Sequence, residues 1–189
     1  MFKKEKLQEI QIDYGIVFKN YGEVDQERVG PTRGGGQLTV TATYRQIEHD
    51  GSAGPTKGLE VVDDIVAVLA VTNLDSSLDS LSLSLPYAKY DKDNKKITVN
   101  RESIGVVKDA AFLKNITMFA KTVKGEYKKI TLFNAMSKND FVLAAVPKGE
   151  GTVALEIHAH WDPEDDAADY LTIEDVSTFS YTPPSPPAA

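Results

Sequence analysis

The chain has no cysteine and a single tryptophan in 189 residues. The missing thiols exclude a disulfide scaffold, thiolate zinc centres and cysteine nucleophiles. No apolar run approaches the ~18 residues of a membrane-spanning helix. The opening MFKKEK is not followed by a signal-peptide apolar core, so a protein soluble where it is made, with no membrane partner, is expected. Positive charge is missing from the end. No Lys or Arg follows Lys148, whereas nine acids do; up to Lys148, 21 bases face 19 acids. At a net charge of −7 without a dominant basic face, the chain is a poor partner for DNA phosphates. Also missing are a Gly-x-Ser-x-Gly elbow, EF-hand spacing, a phosphate-binding loop, heptads and internal repeats.

What is present is ordinary globular material, 41% hydrophobic and 26% charged, enough for one domain. Alternation at period two dominates. Ile10, Ile12, Tyr14, Ile16 and Phe18 alternate along a first long strand, with polar Gln11, Asp13 and Lys19 interleaved. A polar, glycine-rich loop follows at 20–36, then a strand over 37–48. Residues 61–71 are apolar on both faces, which predicts a strand covered on both sides. Residues 74–85 fit either a strand or a helix; the N-cap candidates Asp75 to Ser77 and Leu78, Leu81, Leu85 favour a short helix ending before Pro86. A turn at 91–94 leads into a strand near 96–99. Strands over 112–123 and 127–135 are joined by a Gly125-Glu126 turn. A helix over 137–142, or a strand from 142 to 146, is possible, and the last clear strand is 152–161. From Thr182 the tail (TPPSPPAA) favours extended, non-sheet backbone. The fold expected is mainly β, sandwich-like or barrel-like, with one or two short helices, a single domain over 1–176 and a Pro-rich tail over 177–189.

Three consecutive glycines, Gly34, Gly35 and Gly36, open the second strand. Leu38, Val40, Ala42 and Tyr44 then fall on one face, with Thr39, Thr41, Thr43 and Arg45 on the other. Glycine triplets suit a backbone that must reach φ > 0 or lie close to another surface. A phosphate cradle needs Lys-Ser/Thr and a helix after its glycines, whereas Gln37 leads into a strand.

The order Arg33-Gly34-Gly35-Gly36, alternating strand, Arg45, Ile47, Asp50-Gly51, then Gly54-Pro55, Lys57-Gly58-Leu59 resembles the tail tube (major tail) proteins of long-tailed bacteriophages and prophages, those of Gram-positive hosts in particular. A second match is Ala159-His160-Trp161-Asp162-Pro163, followed by an acidic stretch and the apolar segment 170–173. The resemblance covers most of residues 14–175, and none of its motifs is catalytic. It implies a structural virion protein, not an enzyme, that assembles in the bacterial host cytoplasm. The subunits would form hexameric rings stacked into a tube that conducts phage DNA on ejection. Tape-measure, terminator and, in contractile tails, sheath proteins would be its partners. In that reading 20–36 is an assembly arm with little core, and Arg33, Gly34, Gly35, Gly36, Arg45, Asp50, Gly51, Lys57 and Gly58 are assembly residues. Charge separation between the body and the acidic end, Asp165, Asp166 and Asp169 above all, would help subunits stack head to tail. The alternative is a monomeric β-sandwich binding module of a tail tip that recognises carbohydrate through the 20–36 loop.

No cofactor or metal is expected. His158, His160 and Asp162 would share a face if the last strand ran through them, but that is equally the polar face of a half-buried strand. The acids at 162–169 and 91–93 fit turns better than calcium loops. Asp63 and Asp64, adjacent on a strand, point to opposite faces and cannot act together on one bond.

Overall fold

The computed structural model describes residues 3–51, 54–143 and 149–179. Its elements run α1 (Lys4–Gln8), β1 (Gln11–Lys19), β2 (Glu27–Arg28), β3 (Thr32–Gln46), β4 (Glu60–Asn73), α2 (Leu78–Ser84), β5 (Lys89–Asp91), β6 (Lys96–Thr98), β7 (Leu113–Thr122), β8 (Tyr127–Ser137), β9 (Val153–His158) and β10 (Leu171–Val176). Single 3-10 turns sit at Arg101–Ser103 and Asp109–Ala111. The fold is mainly β with short helices, as the alternation predicts.

One antiparallel sheet carries the fold in the order β2-β1-β7-β8-β9-β4-β3, with β10 also on β8; β5 and β6 form a separate hairpin. Strand β8 is the pivot. Its residues 127–132 pair with β10, and Met136 and Ser137 pair with β9. Between them Asn134 takes a left-handed conformation (φ 46°), a local kink in the strand. The groups there are satisfied across the bend: Phe133 N–H donates to Tyr170 O and His160 N–H donates to Phe133 O, both at 3.2 Å. The sheet ends thus approach each other, and the Thr32 hydroxyl of β3 donates to Gly15 O of β1 (3.3 Å).

The core lies inside this curve. Val17, Leu69, Val71, Ile116, Met118, Leu132, Leu155 and Ile157 are all buried there. Strand β7 is buried on both faces. Its outward ring, Phe119, packs edge-on to Phe18 (centroids 5.9 Å) and stacks on Phe179 (4.7 Å). The segment after β10 therefore closes the outer face of the sheet with Phe179, whose ring also meets Tyr127 edge-on. The Pro-rich stretch from Thr182 lies outside the described residues.

Helix α2 forms where expected. The Ser77 hydroxyl accepts from Ser80 N–H, and Asp75 accepts from both the N–H and the hydroxyl of Ser77 and from the Ser80 hydroxyl. These bonds satisfy donors that a helix start leaves open. The Ser80 hydroxyl first, and the Ser77 N–H next, hold the Asp75 carboxyl below its ordinary range.

Several expectations need correction. The 20–36 segment is not a free loop: β3 starts at Thr32, β2 lies within it, and its first turn is fastened to β7. Asn20 N–H donates to Asn115 O (2.8 Å), Tyr21 N–H to Asn115 Oδ1 (2.8 Å), and Lys114 pairs with Glu23 (2.5 Å). Nor is it without core, because Val29 is 3% exposed within the main cluster. Strand β4 is covered only on its inner half. No helix forms over 137–142: the Asn139 side chain donates to Ala154 O (2.8 Å) and accepts from Glu156 N–H (3.2 Å), so a side chain continues the pairing with β9 in place of backbone. Of the possible 142–146 strand, residues 144–146 lie outside the described residues. Strand β9 stops at His158 rather than Trp161.

Candidate assembly surfaces

Strand β3 separates the residues singled out in the sequence into two places. Arg33 to Gly36 lie at the end next to β1. Arg45, Asp50, Gly51, Lys57 and Gly58 lie at the far tip of the β3–β4 hairpin. About 30 Å of strand separate Gly36 from Arg45, at ~3.4 Å per residue.

At the near end the three glycines do different work. Gly34 and Gly35 have φ of +76° and +77° and sit in a register shift between Arg33 and Gly36, a bulge that L side chains resist. Gly36 is needed for closeness. A Cβ there would overlap the Met118 sulfur, and one at Gly15 across the seam would lie 2.7 Å from the same atom. Met118 thus fills the space between β1 and β3 only because both strands present glycine to it. The seam opens outward as a hollow of about 590 Å³ lined by Gly15, Thr32 and Gly34 to Gly36. Arg33 is spent within the chain on Glu150 (3.0 Å).

At the far end the hairpin leaves the body. Pairing of β4 with β9 runs only from Asn73 to Val68, whereas β3 follows β4 out to Gln46 and Glu60. The apolar face that enters the core at Leu38 and Leu69 continues through Val40 and Ala42 with Ile65 to Tyr44 opposite Val62. Along it Val40 is 48%, Val62 48% and Tyr44 66% exposed. The other face shows Val61 and Val66. Asp63 is an extra residue on β4 at this point, and Arg45 Nε donates to its carboxylate (3.0 Å). The tip is held by its own bonds: Ile47 N–H to Leu59 O (2.7 Å), and the Gln46 side-chain amide to Gly54 O (2.7 Å). Gly51 and Gly58, both at φ +89°, make its turns; Asp50 and Lys57 are exposed beside them.

The acidic end is less uniform than the sequence suggests. Glu174 pairs with Lys129 (3.1 Å), Asp175 with Lys128, and Glu150 with Arg33. Apart from Glu156 on β9, the remaining acids occupy the 161–170 loop, where Asp162 accepts from Glu164 N–H and Asp165 from Ala167 N–H, each at 2.9 Å. Asp166 and Asp169 are exposed on the same loop. Trp161, half exposed, stacks on Tyr170 (4.2 Å), whose hydroxyl accepts from Ala67 N–H (3.1 Å) and donates to Ala159 O. The loop is therefore stapled to the middle of β4, away from the hairpin tip.

His158, His160 and Asp162 do not converge, since β9 ends at the first of them. His160 Nδ1 lies 2.8 Å from Asn134 O, which makes it the donor, and its ring meets Phe112 edge-on (5.0 Å). Burial, more than any nearby charge, holds both histidines below their usual pKa. Among the described residues no three His, Asp or Glu side chains gather as metal ligands, and no helix is long and apolar enough to cross a membrane. Sequence reasoning missed the apolar outer hairpin as a surface; its signal was the two-faced apolar run at 61–66, read as burial. No family model and no curated protein matches the chain.

Proposed function

We propose that this chain is a self-assembling structural subunit, a tail tube protein whose rings of six stack into a conduit for phage DNA. One observation supports it most: the β3–β4 ribbon carries its core-facing apolar stripe out of the body, to Tyr44 and Val62, where no part of the described chain covers it. An uncovered apolar ribbon with a free outer edge on β3 is a liability for a monomer and an interface for an oligomer. The sequence resemblance supplies the kind of oligomer. A net charge of −7 per subunit suits a conduit, because a wall that gripped polyanionic DNA would retain it.

Light scattering of the purified chain over a concentration series, with negative-stain images, tests the reading. Rings or tubes are expected. A strict 20.7 kDa monomer at the highest concentration would overturn it, and glycan binding by that monomer would favour a tail-tip binding module instead.

A further inference from the structure

Residues 160–170 form a loop with a narrow neck, and one residue of β8 closes it. His160 N–H donates to Phe133 O and Phe133 N–H donates to Tyr170 O, both at 3.2 Å. The two ends are not held alike. On the Tyr170 side the hydroxyl is buried and bonded to Ala67 N–H (3.1 Å) and Ala159 O. On the other side the His160 imidazole does the holding. Its Nδ1–H donates to the carbonyl of Asn134 (2.8 Å), the left-handed residue at the kink of β8. Its Nε2 is buried with no hydrogen-bond partner among the described residues, and Phe112 packs edge-on against the ring. Such a seat fits the neutral ring; a second proton would put a charge where burial opposes it.

We infer that this neck is an acid-sensitive clasp: protonation of His160 expels the imidazole from the Asn134 carbonyl and frees the 160–169 side of the loop from β8, while Tyr170 stays anchored. It stands apart from the assembly reading. The charges on either side define two states. In the closed state the backbone oxygens of Asn134 and His158 favour charge on the ring, and Lys138 and the His158 imidazole oppose it. No carboxylate acts on it: Asp162 is turned to Glu164 N–H, and Glu156 acts on His158 instead. Burial outweighs the two oxygens and holds the closed ring below its ordinary 6.5. Once outside, the imidazolium shares a loop with Asp162, Glu164, Asp165, Asp166 and Asp169 and with no base. Closed therefore suits the neutral ring and open the charged one, which is what a pH switch requires. The clasp is shut above pH 6.5. Below it, opening becomes about tenfold easier for each pH unit until the closed ring itself protonates.

Trp161, the only tryptophan and the next residue along, reports the opening through its stack on Tyr170. Its emission is followed from pH 7 to pH 5 in wild type, His158→Gln and His160→Asn, with circular dichroism confirming that each stays folded. Asn at 160 keeps an amide donor for the Asn134 carbonyl but cannot titrate. Wild type and His158→Gln should shift together below pH 6.5, and His160→Asn should stay flat. A flat wild-type profile, an equal shift in His160→Asn, or a shift lost in His158→Gln instead would overturn the clasp. Should His160→Asn fail to fold, hydrogen exchange of wild type decides alone. After correction for intrinsic pH dependence, protection of the His160 amide should fall between pH 7 and pH 5 by about tenfold more than that of its neighbour. That neighbour, Ala159 N–H, bonds to Ala67 O on β4 (3.1 Å) and should stay closed. Equal retention at both amides would overturn the clasp even where Trp161 emission changes, because a charged imidazole nearby quenches without any opening.

Discussion

The inner and outer halves of the β3–β4 ribbon make an instructive pair. They share two strands and one apolar face, carried past the one-residue shift at Asp63, yet Leu69 is 0% exposed and Val62 48%. The difference is what lies beside them. Strand β9 reaches along β4 only as far as Val68, and the opposite wall of the core ends with it. Period-two alternation says which face wants cover; it does not say whose chain provides it.

The widest separation between the halves should come from truncation. Leu69→Ala is expected to lower unfolding free energy in urea by about 2–5 kcal/mol, the cost of emptying a closed core site. Val62→Ala should change it by no more than about 0.5 kcal/mol, as surface positions do. Assembly should rank them the other way: subunits carrying Val62→Ala remain folded but grow slowly. A Val62→Ala variant that loses folding stability comparably to Leu69→Ala would show that the outer ribbon is core after all.

A finer comparison lies within the glycine run. Gly36→Val overpacks the Met118 seam and should cost about 1–3 kcal/mol. Gly35→Val has open space around its Cβ but a backbone at φ +77°, costing about 1–2 kcal/mol. The mechanisms separate in double mutants. Adding Met118→Ala should recover part of the Gly36→Val loss, because the sulfur is the obstacle, and recover none of the Gly35→Val loss. Thr41→Val, on the outer ribbon, should be near neutral for stability. Equal behaviour of Gly35→Val and Thr41→Val would reduce the bulge to a linker.

Much of this was legible locally. The 112–123 and 127–135 strands with their Gly125-Glu126 turn, helix α2 with its Ser77 cap, and the need for special backbone at Gly34 to Gly36 all depend on neighbours in sequence. What failed depended on distance along the chain. That β8 would kink at Asn134 and serve both β10 and β9 is fixed by Tyr170 and His160, residues 36 and 26 positions later. Segment 20–36 looked like a free loop because Asn115, which fastens Asn20 and Tyr21, lies over 90 residues away. The 137–142 helix failed because the Asn139 side chain found β9. Of the residues that the resemblance implies for assembly, some fall at the hairpin tip and others at the seam, but Arg33 is paired with Glu150.

Acid should weaken the body more than the hairpin. His158 and His160 are held below the ordinary 6.5 by burial first. Below that pH the unfolded chain takes up protons that the folded chain refuses, so stability is full above about 6.5 and is lost as pH falls. Burial outweighs the backbone oxygens of Asn134 and His158 that favour the imidazolium: His160 Nε2 is buried without a hydrogen-bond partner among the described residues, Nδ1 is committed to Asn134 O, and Lys138 adds repulsion. Melting temperature should therefore decline between pH 7 and pH 5. In His160→Gln the decline should be shallower. Asp75 does not confuse this window, since its carboxyl, held low, gives up its contribution only below its ordinary 3.8. Identical slopes for wild type and His160→Gln would remove His160 from the effect.

The smallest expected effect concerns the acids. Three of the nine acids after Lys148 are paired within the chain, so any long-range field must come largely from the 161–170 loop. Asp165→Asn, Asp166→Asn and Asp169→Asn together should leave stability within about 0.5 kcal/mol, the range of exposed substitutions. Asn at 165 can still accept from Ala167 N–H, which keeps the turn. If the loop attracts the more basic body of the next subunit, the triple variant elongates more slowly at low ionic strength. The difference then shrinks toward 1 M salt, where the Debye length is only ~3 Å. Contacts made by the apolar stripe of the hairpin should respond less to that change, so salt separates the two kinds of surface as truncation separates the two halves of the ribbon. A triple variant that elongates as fast as wild type at every ionic strength would leave the acids a solvating or DNA-repelling role and assign growth to the hairpin alone.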